Sequence, residues 1–434
     1  MLAVYRHMFT IPDLRKKILF TLAIFAVYRL GASIPVPGID LEAVERVASV
    51  SQQGGIYGLL NLFSGGALES FSVFSLGIMP YITASIIMQL LTVVIPRLQA
   101  LQEEGESGRR IITQWTRYVT VGLALVTSVG YVFLFHSGAF TGGIDLIPDY
   151  DAGRVALMVL TMTAGTAFIM WLAELITQRG IGNGMSLLIF VSIVSQFPFL
   201  FGQIWGATAA IGRIVRFVLI CLIFLAMIVA IIYVDQGQRR IPIQFAKRVR
   251  GRRMMGGQST YIPLKVNTAG VIPVIFATSV LVIPSLLVSA IPSDNTVVAS
   301  IFRFVNDTLA NPQSWVYVVT LFVLIIFFTY FYTAIQFDPA RQAEMIQRQG
   351  GFIPGVRPGR ETAKHLEHIL NRITLPGSMF LGLIAVLPAI AGIIWGIQIG
   401  LSGVSILIVV GVALETMKQI ESQLTMRNYE GFLT

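Results

Sequence analysis

Few residues in this chain have the type and spacing to do chemistry. His365 and His368 fall three apart, on one face of a helix, with Glu367 between them. That begins a metal-ligand set, but a metal centre needs three or four donors and none follows nearby. Gly180-Ile181-Gly182-Asn183-Gly184 has the glycine density of a phosphate-cradling loop. No strand precedes it and no acidic residue follows at the spacing a dinucleotide loop needs, so it predicts a turn between helices. The lone cysteine, Cys221, excludes an intrachain disulfide and a cysteine-based metal cluster, and inside an apolar run it reads as a small buried hydrophobe. No Walker-type loop and no nucleophile, base or metal constellation emerges. The expectation is a chain that is not an enzyme and holds no cofactor or metal, so that any nucleotide-driven work comes from a partner.

Positive charge is the one abundant chemistry. Residues 235–267 carry Arg239, Arg240, Lys247, Arg248, Arg250, Arg252 and Arg253 against a single acid at the start. Residues 338–372 mix Arg341, Arg348, Arg357, Arg360 and Lys364 with Glu344, Glu361 and Glu367. A 33-residue loop containing Pro242, Pro263, Gly237, Gly251, Gly256 and Gly257 predicts two arms projecting to a tip. A basic tip suits an anionic partner such as ribosomal RNA or an acidic protein face. Topology and attraction to anionic lipid headgroups remain the alternative.

The elements that must position these groups are membrane helices. Of 434 residues 55% are hydrophobic and 12% charged, with mean hydropathy +0.76, where soluble domains carry roughly 25% charged residues. Ten apolar runs can be placed, near 18–34, 71–95, 118–136, 155–176, 184–204, 214–234, 268–291, 315–337, 375–397 and 404–420. They are continuously apolar rather than alternating, which predicts helices and not barrel strands. Met1 to Lys17 is polar and basic, and no cleavable signal is expected. With both termini on one side, that side collects 25 of the 31 lysines and arginines, which places it in the cytoplasm. Pro80, Pro273, Pro284, Pro376 and Pro388 punctuate the runs and predict kinks. The central parts of the runs hold no Asp, Glu or Lys; Glu174 and Glu415 lie near cytoplasmic ends and Arg29 near an outer end. An ion-coupled carrier keeps intramembrane acids for its relay. A small-solute transporter nevertheless stays open as the alternative, because ten kinked helices suit one too.

One stretch stands apart. Gly54-Gly55 leads into Ile56-Tyr57-Gly58-Leu59-Leu60-Asn61-Leu62-Phe63, then Ser64-Gly65-Gly66 and Ala67-Leu68, before the run from 71 to 95. About 20 residues are needed to cross a bilayer, so the first piece is too short and the second is long enough. A short apolar piece bracketed by glycines predicts a re-entrant element, tolerated only where protein buries it or water reaches it.

Several motifs now converge. Asn61-Leu62-Phe63-Ser64-Gly65-Gly66, Leu76-Gly77-Ile78-Met79-Pro80-Tyr81-Ile82, Glu104-Gly105-Glu106-Ser107-Gly108-Arg109-Arg110 and Arg179-Gly180-Ile181-Gly182-Asn183-Gly184 resemble the SecY family of bacterial protein-translocation channels. Gly237-Gln238-Arg239-Arg240-Ile241-Pro242, Ala269-Gly270-Val271-Ile272-Pro273 and Phe352-Ile353-Pro354-Gly355-Val356-Arg357-Pro358-Gly359 agree, so the likeness covers nearly the whole chain. It implies an all-α, ten-helix pore of two pseudo-symmetric halves, 18–204 and 205–420, between a cytoplasmic segment 1–17 and a tail 421–434. The halves would open sideways between helices 2–3 and 7–8. By the same resemblance Ile78, Ile82, Met185, Ile189, Ile275 and Ile408 form an apolar constriction ring, and residues 56–68 (within 55–69) form a plug that Gly54, Gly55, Gly65 and Gly66 let swing away. Arg240, Lys247, Arg248, Arg252, Arg253 and Arg357 become docking positions for the ribosome and the motor ATPase SecA. The small membrane subunits SecE and SecG, signal sequences, unfolded polypeptides and membrane lipid complete the implied partners.

Overall fold

The computed structural model describes residues 11–40, 42–44, 61, 63–137, 146–147, 150–206, 213–245, 248–250, 253–255, 259–289, 308, 311, 314–395 and 402–430. Its helices are α1 Pro12–Gly31, α2 Met79–Val94, α3 Pro96–Glu103, α4 Glu106–Ser137, α5 Ala152–Arg179, α6 Gly184–Gly206 and α7 Arg213–Gln236. After four strands come α8 Ile272–Ser289, α9 Trp315–Gln336, α10 Pro339–Arg348, α11 Arg360–Trp395 and α12 Gly403–Glu430. Each of the ten apolar runs overlaps a helix. By length and composition 7 described helices are apolar enough to cross a membrane, or 8 if the bent pair α2–α3 is one span. The α1 helix falls outside that group because Asp13, Arg15, Lys16, Lys17 and Arg29 leave it a short uncharged middle.

The run from 71 to 95 needs correcting, because only its second part is helical. Residues 65–78 form turns and α2 begins at Met79, with 16 residues that reach about 24 Å. The cause is local. The Val36 N–H donates to the Phe71 carbonyl and the Val73 N–H to the Ile34 carbonyl, both at 2.9 Å, so this segment pairs with 34–36 like a strand. Phe71 is held at φ 44°, buried edge-on against Phe135. Pro80 and Pro273 do not kink helices; they sit in first turns, where the missing N–H would have no partner anyway. Pro376 and Pro388 lie inside the uninterrupted 36-residue α11. At Ile95, extended and followed by Pro96, the chain turns by 100° into α3.

The helices pack in two groups. In one, α4 and α5 lie together, α2 rests on α4, and α1 and α6 rest on α5. In the other, α9 is flanked by α8 and α11, and α11 leads through α12 to α7. The groups meet on two sides, α2 against α8 and α6 against α12 and α7. One apolar cluster runs through both, from Ile24 and Ile82 to Ile325 and Leu407.

The two basic loops join in one small body. Strands β1 Gln238–Phe245 and β4 Ser259–Lys265 pair antiparallel from Gln238↔Lys265 to Gln244↔Ser259, and β5 Gly351–Phe352 adds to the other edge of β1. These are the two predicted arms. Beyond them, β2 Arg248–Arg250 and β3 Arg253–Met255 form a short hairpin. On β1, Ile241 and Ile243 point inward and Arg240, Pro242 and Gln244 outward, the period-two pattern of a sheet with one covered face. That face packs Ile241, Ile243 and Leu264 against Ile346 of α10, Leu366 of α11 and Ile353 between them.

Candidate functional site

The turn between residue 61 and α2 is a dense polar knot inside an apolar bundle. The Asn61 side chain donates to Glu69 Oε2 at 3.0 Å and accepts the Glu69 N–H at 3.1 Å. Ser64 Oγ donates to the Asn61 carbonyl and accepts from the Leu68 N–H, at 3.0 and 3.1 Å. Ser75 Oγ reaches the Ala67 carbonyl at 3.1 Å. Backbone groups that a helix would have paired are thus met by short hydroxyl and amide side chains, as buried polar groups require. Phe63, Ser64, Gly65, Ala67 and Leu68 are buried.

Two outside helices hold this knot. From α1, the buried Tyr28 hydroxyl lies 2.7 Å from Ser192 Oγ on α6 and 3.3 Å from the Ser64 carbonyl. Arg29 Nη1 donates to the Gly65 carbonyl at 2.6 Å and to Ser195 Oγ at 3.3 Å. Gly65 and Gly66 have φ +70° and +86°, and a Cβ on Gly65 would stand 3.1 Å from Ser192 Cα. In this arrangement the glycine pair permits a left-handed turn pressed onto α6. Of the remaining predicted plug residues, Ile56, Tyr57, Gly58, Leu59, Leu60 and Leu62 lie outside the described residues, as do Gly54 and Gly55.

The six predicted ring positions come from both helix groups. Ile78 caps α2 and Ile82 lies one turn on; Met185 and Ile189 stand one turn apart on α6; Ile275 is in the first turn of α8 and Ile408 early in α12. Pairs four apart share a helix face. Ile78, Ile82, Ile189, Ile275 and Ile408 are buried in one apolar cluster with Phe63, and Met185 packs against it. These side chains offer dispersion and no directional bond.

Of the predicted docking residues, Arg240, Arg248, Arg253 and Arg357 lie within the described parts of the two basic loops. Arg240 is exposed on β1, its guanidinium 4.9 Å above the Tyr261 ring. Arg248 and Arg253 belong to the outer hairpin, with Arg253 opposite Arg250. Lys247 and Arg252 lie outside the described residues. Arg357 is exposed in the turn ahead of α11, its carbonyl accepting from Thr362 Oγ1 at 2.9 Å, while neighbouring Ile353 anchors the turn in the sheet core. Among the described residues no group of three or more His, Cys, Asp or Glu side chains could hold a metal ion.

The structure adds partners that the sequence does not reveal. Tyr28, Ser192 and Ser195 meet the knot although 164 residues separate Tyr28 from Ser192. Glu174 carries a forked ion pair with Arg117, Nε to Oε1 at 2.7 Å and Nη2 to Oε2 at 2.5 Å, tying α4 to α5. Lys418 of α12 meets Asp235 of α7 at 3.0 Å, and Arg341 of α10 pairs with Glu103 of α3. A charged or hydroxyl residue inside an apolar run was the available signal, but it names no partner.

Comparison with known proteins agrees with this fold. The SecY family model matches residues 72–417. The protein translocase subunit SecY of Streptomyces coelicolor is 52% identical over 440 residues, covering 100% of both chains. A solved SecY structure, described as showing a plug domain that stabilises the closed state and maintains a membrane seal, superposes with TM-score 0.62 at 19% identity, over 94% of this chain and 91% of that one. Sec61 in the canine ribosome-channel complex superposes with TM-score 0.61 at 16% identity, over 94% and 91%. The chain belongs to the SecY family.

Proposed function

We propose that this chain is the pore subunit through which unfolded polypeptides cross the bacterial cytoplasmic membrane and from which apolar segments pass sideways into lipid. The observation that carries the reading is the buried knot around Ser64 and Gly65 beside an apolar cluster that takes in Ile78, Ile82, Ile189, Ile275 and Ile408 from both helix groups, with Met185 packed against it. An aliphatic constriction makes no specific bonds to a passing chain and resists wetting. Residues 56–68 serve as its plug in the resting state. The halves 18–204 and 205–420 part between α2–α4 and α8–α9, where transmembrane segments partition by their own hydrophobicity.

The chain does no covalent chemistry in this reading; force comes from SecA or from the translating ribosome. Arg240, Lys247, Arg248, Arg252, Arg253 and Arg357 contact those partners from the cytoplasmic side, where both termini lie, and SecE and SecG complete the membrane complex. The small-solute carrier loses its support, since full-length relatives are translocase subunits. The test is reconstitution with SecE and SecG in vesicles, followed by SecA, ATP and an unfolded secretory precursor. Protease-protected precursor inside the vesicles is expected; none, with the subunits assembled and SecA active, overturns the reading.

A further inference from the structure

The knot that bears Ser64 and Gly65 is fastened from α1 by two consecutive residues. Tyr28 is 1% exposed, and its ring stacks on Phe74 with centroids 5.8 Å apart, which fixes where the hydroxyl points. The Ser192 hydroxyl also reaches the Leu188 carbonyl at 2.9 Å. The Tyr28 hydroxyl hydrogen-bonds with Ser192 Oγ at 2.7 Å and donates to the Ser64 carbonyl at 3.3 Å, bridging α6 and the turn. Arg29 supplies the neighbouring Gly65 carbonyl with a charge-assisted bond at 2.6 Å and touches Ser195 on α6. The turn, α1 and α6 thus meet through four side chains at one point. That point lies in the turn ahead of Ser72, the residue bridged to Pro35.

We propose that Tyr28 and Arg29 are positioning residues of the resting channel: they pin the base of the plug against α6, so that the first helix sets how often the plug leaves. This rests on the plug reading of residues 56–68. Loss of a net hydrogen bond shifts an equilibrium about fivefold, and loss of a charge-assisted one about tenfold or more.

The test measures resting ion conductance of the reconstituted complex with its partner subunits, together with the apparent melting temperature. Four variants are compared with wild type: deletion of residues 56–68, Tyr28→Phe, Arg29→Gln and Arg29→Lys. The deletion is expected to leak, Tyr28→Phe to conduct about fivefold more than wild type and Arg29→Gln about tenfold more, with melting nearly unchanged. Arg29→Lys, which keeps a cationic donor, should restore most of the seal. If the deletion leaks but Tyr28→Phe and Arg29→Gln conduct like wild type, the pin is wrong and the plug reading stands. If the deletion itself conducts like wild type, the plug reading fails and the pin with it. A leak that rises only as melting falls marks a general loss of structure and also overturns the pin. Should Arg29→Gln not assemble, Ser192→Ala removes the α6 side of the bridge: an approximately fivefold leak supports the pin, and wild-type conductance refutes it.

Discussion

Replacing Gly65 with alanine adds one methyl group at the tightest point of the knot. Gly65 has φ +70°, and a left-handed residue with a Cβ costs about 1–2 kcal/mol. The new Cβ would also stand 3.1 Å from Ser192 Cα, which is helix backbone and cannot rotate away. Overpacking of this kind adds about 1–3 kcal/mol. Gly105, in the turn between α3 and α4, supplies the control: its φ is +79° and nothing lies within 4 Å of a Cβ there. Gly105→Ala therefore carries only the backbone cost, and any gain from a stiffer unfolded chain is common to both variants. The contact with α6 is the difference, worth about 5- to 150-fold in an equilibrium. The assay pairs apparent melting temperature with resting ion conductance of the reconstituted complex. Gly65→Ala should melt lower than Gly105→Ala and leak at least about fivefold more than wild type, while Gly105→Ala keeps the seal. Equal melting of the two variants, with no leak from Gly65→Ala, would refute the reasoning that the turn is pressed onto α6 and that its position seals the pore.

Arg357→Glu reverses an exposed charge on a turn anchored by Ile353. SecA-driven translocation into vesicles should fall about tenfold or more while the complex still assembles; an unchanged rate removes this turn from docking. Leu366→Ala empties a fully buried position in the core shared by the two basic loops, at a cost of about 2–5 kcal/mol. Limited proteolysis should then cut residues 235–267 and 338–372 together. Cleavage in one loop with the other protected would show that the sheet does not couple them.

Much of the fold was legible because a bilayer demands continuous apolar runs, and each of the ten overlaps a helix. The two arms of the first basic loop were legible from its proline and glycine turn residues; that they are paired strands was not. The start of α2 was not. Phe71 to Ile78 reads as part of a spanning run, yet Ser72 and Ser75 supply local hydroxyl partners and the backbone pairs with 34–36. Nor could the sequence give the meeting of Tyr28 with Ser192, since side-chain pairing across 164 residues leaves no periodic trace. Ile78 and Ile408 illustrate the limit for the pore itself. Each is a buried isoleucine among many, and only the family motifs single them out.

The central claim is that a polypeptide passes through the apolar surface shared by the two helix groups. It is tested by replacing Cys221 with serine, placing one cysteine in turn at 78, 189, 275 or 408, and arresting a cysteine-bearing precursor midway through the reconstituted complex. Oxidation should link the precursor to each of these four positions, and little to Leu222→Cys, which is exposed on the outer face of α7. Precursor that is arrested midway, yet links at Leu222→Cys and at none of the four, would contradict the account.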